Sequence, residues 1–251
     1  MIKNMSVFYI LAIFFSITTR ILFSLNETVM VKIITQISVG CMFAMIVNIL
    51  INTMMRSWIR FRDSIYKDEA YLTHTLPVTK NDIYNSKFIQ TLIFFIIGFL
   101  VILLSLFITY YTKDNWFALK NFINTITTGL KFNTTLFVIS FVAIIFLEIF
   151  NAIQCGFLGI ILGNKKNNGK TGFSVLFGFI LYLVSQSIVL FCVFIIGLLD
   201  SSIMSLFTSN ILLDTNSLKS LILLAIIIYL IIIGLMCIIC KKELNKGVNV
   251  E

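Results

Sequence analysis

The sequence predicts an all-α membrane protein: a polytopic bundle of six transmembrane helices with a structured cytoplasmic loop and short outer-face helices. Three observations predict it. The 251 residues are 59% hydrophobic and 12% charged, with a mean hydropathy of +1.02. A soluble domain carries roughly 25% charged residues, so half that share cannot cover a water-facing surface. Second, six apolar runs reach the roughly 20 residues that a spanning helix needs. Third, basic residues flank the runs, as orientation signals do. That placement accounts for the net charge of +8 without nucleic acid as a partner. The length fits one domain, 1–251.

The runs cover 8–25, 29–55, 88–111, 132–163, 172–199 and 218–240. Lys3 is the one charged residue before the first run, the run exceeds the roughly 7–15 residues of a signal's apolar core, and no small-x-small cleavage site closes it, so it reads as a span rather than a cleaved signal. Asn26-Glu27-Thr28 separates the first two runs, and Lys165 to Lys170 separates the fourth and fifth. With both termini in the cytoplasm, thirteen basic residues fall inside and six outside or at outer helix ends, among them Lys113, Lys120 and Lys131. The bias favours a multi-pass protein of the cell membrane with both ends cytoplasmic. Two outer segments are more than turns. Residues 116–123 are amphipathic, and either lie in the interface as a helix or form a loose loop. Residues 201–217 mix apolar and polar side chains and read either as a short outer-face or re-entrant helix or as a loose interfacial loop.

Inside the spans, small and polar residues fall in stripes. Gly40, Ala44, Asn48 and Asn52 recur at i+4 in the second run. Glu148, Ala152, Cys155 and Gly159 make a like stripe in the fourth at steps of four, three and four, ending in the pair Gly159 and Gly163. Such stripes let helices approach and hydrogen-bond; they serve packing, or they line a path or a subunit seam. Glu148 stands out because a carboxylate deep in a span costs ~3 kcal/mol or more unless it is paired or hydrogen-bonded. Its candidate partners are Asn48, Asn52 and Gln186. With no further ionisable group at depth, a polar packing or pathway role is preferred to proton coupling.

Chemistry-bearing constellations are lacking in the sequence. The single histidine, His74, sits in the loop, without H-E-x-x-H, G-x-S-x-G or a Cys/His cluster. Cys237-x-x-Cys240 has redox spacing but no second pair, and reads as apolar filler. There is no Walker A loop. No catalytic residue, cofactor or metal is expected.

The long polar connection, 56–87, is the most distinctive part. Trp58, Phe61 and Tyr66 alternate with Arg60, Arg62 and Lys67, as an extension of the second helix. Pro77, the one proline of the chain, ends any helix before it. Thr79 is placed to cap a new helix with Asp82 in its first turn. The connection is therefore a rigid elbow: helix, proline break, helix start.

Asp68-Glu69-Ala70-Tyr71-Leu72-Thr73-His74-Thr75-Leu76-Pro77-Val78, followed by Ile83, Ser86 and Lys87, resembles the cytoplasmic-loop signature of firmicute type-2 ABC exporter permeases. The six-span layout and the outer segment before the last span fit the same resemblance. Ala70 stands where that signature usually has glycine, and about six residues precede the first span where members commonly carry a basic amphipathic helix. The resemblance implies a transport subunit that pairs with a second permease chain, as homo- or heterodimer, among membrane lipids. Two separate ATP-binding subunits would press on the loop through Asp68, Glu69, Tyr71, Leu72, His74, Thr75, Leu76 and Pro77. Related systems export antimicrobial peptides, drugs or lipid-linked molecules. The alternative from another class is a membrane interaction or immunity protein that binds without transporting.

Overall fold

Where lipid surrounds an apolar run, every backbone N–H and C=O has to be satisfied within the segment, and the helix is the local structure that does so. The computed structural model describes residues 2–26, 28–67, 69–75, 77–129, 132–199 and 215–246, and these form helices α1 (Ile2–Phe23), α2 (Val29–Tyr66), α3 (Ala70–Thr75), α4 (Lys80–Tyr110), α5 (Lys113–Gly129), α6 (Thr134–Gly163), α7 (Lys170–Leu199) and α8 (Thr215–Asn245). Helices α1, α2, α4, α6, α7 and α8 are long and apolar enough to cross a membrane. The chain is an all-α, multi-pass membrane protein. Large apolar side chains such as Ile10, Phe14, Ile17 and Ile21 stand exposed along α1, the pattern of a surface solvated by acyl chains rather than water.

The helices fall into two units. The first comprises residues 1–61 and 82–119. Its core joins Ala12 of α1, Met42, Ile46 and Ile49 of α2 and Ile102 of α4, with Phe8, Phe15 and Leu106 packed around them. Hydroxyls join the same helices. Thr19 and Ser38 lie 2.8 Å apart, and Thr109 donates to the thioether of Met42 at 3.0 Å and the carbonyl of Ser16 at 3.4 Å. Asn52 donates to the side-chain and main-chain oxygens of Asn48, both at 3.0 Å, so these two amides pair along α2. The stripe above them is not used for packing here. Gly40 and Ala44 are exposed, and a Cβ added at Gly40 would meet nothing within 4 Å.

The second unit comprises residues 62–81 and 120–251. Within it α6 packs along α7 and α8. Asn133 opens α6 by accepting from the backbone N–H of Thr135 at 3.0 Å. Asn164 closes it by donating its side-chain amide to Ile160 at 2.8 Å. The turn into α7 runs through Gly169, whose φ of +67° is left-handed, a conformation that costs glycine nothing.

Helix α5 has Trp116, Leu119, Phe122, Ile123 and Ile126 on one face, and Lys113, Asp114, Lys120 and Asn121 away from it. Trp116, Phe117, Leu119 and Phe122 are exposed. This is the pattern of a helix lying in a membrane interface, and of the two readings of 116–123 it is the helix that forms. The second such element, expected at 201–217, lies outside the described residues except for its last three, which belong to α8.

Candidate functional site

The connection between the second and third spans is mostly helical. Nothing in the sequence breaks α2 at Met55, and it continues to Tyr66, with Phe61, Ser64, Ile65 and Tyr66 buried. At 38 residues α2 is about 57 Å long, far more than the ~30 Å hydrocarbon core. A turn at Lys67 and Glu69 leads into the six-residue α3, and bends at Pro77 and Val78 lead into α4. In α3, Thr73 and Thr75 donate back to the carbonyls of Glu69 and Leu72, both at 2.8 Å. Ala70 is fully buried, whereas Tyr71 is 77% and Leu72 70% exposed. Glu69, Thr75 and Pro77 are exposed as well. Asp68 and Leu76 lie outside the described residues, as does the side chain of His74.

The segment 62–81 groups with the second unit, although the chain on either side of it belongs to the first. Arg62 donates to the hydroxyl of Thr171 at 3.2 Å, and Asn245 donates to Asn81 at 3.2 Å. At the same end of this unit, Glu243 pairs with Lys165 and, at 2.6 Å, with Lys246. The segment is thus held to α7 and α8 while continuing covalently into α2 and α4.

Deeper in the second unit lies a polar cluster. Glu148 is half-buried on α6. Its Oε1 accepts from the hydroxyl of Tyr182 and the amide of Gln186, each at 2.7 Å. Tyr229 of α8 donates to the Oε1 of Gln186 at 3.3 Å, linking three helices. The second carboxylate oxygen of Glu148 is buried and has no hydrogen-bond partner among the described residues. Of the three partners considered from sequence, Gln186 makes the bond, while Asn48 and Asn52 pair with each other in the first unit. Tyr182 and Tyr229 were missed. Tyr182 had a signal, because it lies one turn from Gln186 on the same face of α7.

One turn further along α6, Asn151 donates to Ser185 at 2.8 Å, and Gln154 donates to the sulfur of Cys237 at 3.0 Å. Both amides are fully buried. Cys237 and Cys240 are free thiols, with Cys240 buried. Next, Gly159 and Gly163 face Ser174 and Gly178 of α7. A Cβ at Gly159 would stand 2.5 Å from the backbone nitrogen of Gly178, so the helices touch backbone to backbone. This close crossing holds Tyr182, Ser185 and Gln186 in register with Glu148 and Asn151. Among the described residues, no group of three His, Cys, Asp or Glu side chains is arranged to hold a metal ion.

Compared with protein-family models, curated proteins and solved structures, the chain matches none.

Proposed function

We propose that this chain is the membrane permease subunit of an ATP-driven ABC exporter, with segment 62–81 as the element through which a separate ATP-hydrolysing subunit drives it. The observation that carries the reading is the exposure of Tyr71 and Leu72 on α3, in a segment held to one helical unit and covalently continuous with the other. Large apolar side chains beside Glu69 and Pro77 suit a partner groove better than water. A push on a short helix tied at both ends moves α2 and α4 together. The resemblance of residues 68–87 to type-2 exporter permeases supports the same reading.

In this reading the connection and both termini face the cytoplasm of a bacterial cell, and two permease chains assemble with two ATPase subunits. The chain contributes no hydrolytic site of its own. The Glu148 cluster serves as a polar joint between α6, α7 and α8, and the exported molecule is a peptide, a drug-like compound or a lipid-like amphiphile. The experiment is co-expression with an ATP-binding subunit, followed by purification of the complex and a comparison of ATP hydrolysis with and without the intact connection. A stable complex whose hydrolysis responds to the connection supports the permease reading. A chain that binds a protein toxin or enzyme and never an ATPase supports a non-transporting interaction protein instead.

A further inference from the structure

We propose that the first unit carries a binding site for a phosphate group at the depth of the lipid headgroups, centred on Arg60. The apolar run of α2 ends at Met55 and that of α4 begins at Phe88, so Arg56, Arg60 and Lys87 stand just beyond the apolar stretches of their helices. Between α2 and α4 at this level is a cavity of about 10 Å³, room for one oxygen atom. Arg60, Lys87 and Gln90 line it, and no lining residue is acidic. The Nε atoms of Arg60 and of Arg56, one turn earlier, are buried and have no hydrogen-bond partner among the described residues.

A buried guanidinium N–H without an acceptor is costly, and an anion is the acceptor that answers it best, through a charge-assisted bond. The other lining hydroxyls do not compete as donors. Ser57 donates to the carbonyl of Thr53 at 2.7 Å and Thr91 to that of Lys87 at 2.9 Å. The donors that face a ligand are the Arg60 guanidinium and the Gln90 amide, with the Lys87 cation adding positive charge to the lining. A single phosphate oxygen fits the recess, with the rest of the group outside it. Phe94, one turn further along α4, also lines the cavity, which places an apolar surface on the side where an acyl chain would run. The phosphate comes either from an anionic lipid such as phosphatidylglycerol or from free phosphate in solution.

The test uses the full chain, delipidated in a neutral detergent, with ligand retention read by native mass spectrometry and melting temperature by circular dichroism. The additions are phosphatidylglycerol, phosphatidylcholine, or millimolar inorganic phosphate. Phosphatidylglycerol is expected to bind and to raise the melting temperature more than phosphatidylcholine. Arg60→Gln should weaken that binding about tenfold, the loss of one charge-assisted hydrogen bond. Arg60→Lys should retain part of it, and Lys113→Gln, on α5, should leave it unchanged. Stabilisation by inorganic phosphate that phosphatidylglycerol does not improve on, and that Arg60→Gln abolishes, supports the site with free phosphate as the source. Equal binding of the two lipids with no effect of phosphate overturns the proposal and leaves the recess to water. Unaltered phosphatidylglycerol binding by a folded Arg60→Gln chain overturns it too.

Discussion

Adding one methyl group at Gly159 should separate α6 from α7. A Cβ there would lie 2.5 Å from the nitrogen of Gly178, 2.6 Å from its Cα and 2.7 Å from the carbonyl oxygen of Ser174. Ordinary contact begins near 3.4 Å, and the opposing atoms are backbone, which no rotamer change can move. The helices must part locally by about 0.9 Å, a gap that forfeits a quarter to a half of the dispersion between facing atoms. Overpacking of this kind costs about 1–3 kcal/mol, against which alanine regains up to about 1 kcal/mol in helix propensity. The net expectation for Gly159→Ala is about 1–2 kcal/mol of destabilisation. Gly163→Ala, whose Cβ would stand 2.5 Å from the Cα of Ser174, should behave alike. Gly40 and Gly234 have nothing within 4 Å of an added Cβ, so alanine there should be neutral or stabilising by up to about 1 kcal/mol. Equilibrium unfolding in mixed micelles, followed by circular dichroism, measures all four. A Gly159→Ala chain as stable as wild type, or one no worse than Gly40→Ala, would refute the close crossing.

Three further outcomes follow from the polar cluster and the connection. Glu148→Gln keeps an acceptor for Tyr182 or Gln186, whereas Glu148→Leu strands both donors. At about 0.6–1.7 kcal/mol per hydrogen bond between membrane helices, the leucine variant should be less stable than the glutamine variant by about 1–3 kcal/mol in the same unfolding assay, and equal stabilities would count against the network. Tyr182→Phe should lose about 0.6–1.7 kcal/mol in wild type but nothing in the Glu148→Leu background, a double-mutant cycle that reads the pair directly. For the proposed orientation, cysteines placed at Tyr71 and Asn168 should resist an impermeant thiol reagent in intact cells while one at Asn115 reacts; all three positions are exposed, and the opposite pattern would invert the topology.

The six spans were legible because length and hydropathy alone define them in lipid. The continuation of α2 past Met55 was legible too, as an extension of the second helix, because no glycine or proline lies between Met55 and Pro77. Its stop at Tyr66, well before the proline, was not. Phe61, Ile65 and Tyr66 then find burial beyond the apolar run. The proline break and the restart at Lys80 were readable from local chemistry. The stripe in the fourth run was readable too, but its partner, Ser174 and Gly178 at the same i+4 spacing in α7, was overlooked. The stripe at Gly40 has the same spacing, yet among the described residues nothing lies within 4 Å of a Cβ added at Gly40, so spacing states that an approach is possible and not that it is made. Glu148 was identifiable as costly at depth. Its partners were not, because Tyr182 and Gln186 lie 34 and 38 residues away and only the packing of α6, α7 and α8 brings them together.

The central claim is that α3 transmits force from an ATPase. Its most direct measurement is ATP hydrolysis and substrate export side by side in proteoliposomes containing the complete complex, wild type against the double variant Tyr71→Ser, Leu72→Ser. Both side chains are exposed, so the variant should fold and insert normally, while a docked pair of this size contributes about 2–4 kcal/mol to a partner interface. The account predicts that hydrolysis persists or falls modestly while export drops by tenfold or more. Export at the wild-type rate by a correctly assembled double variant would contradict it.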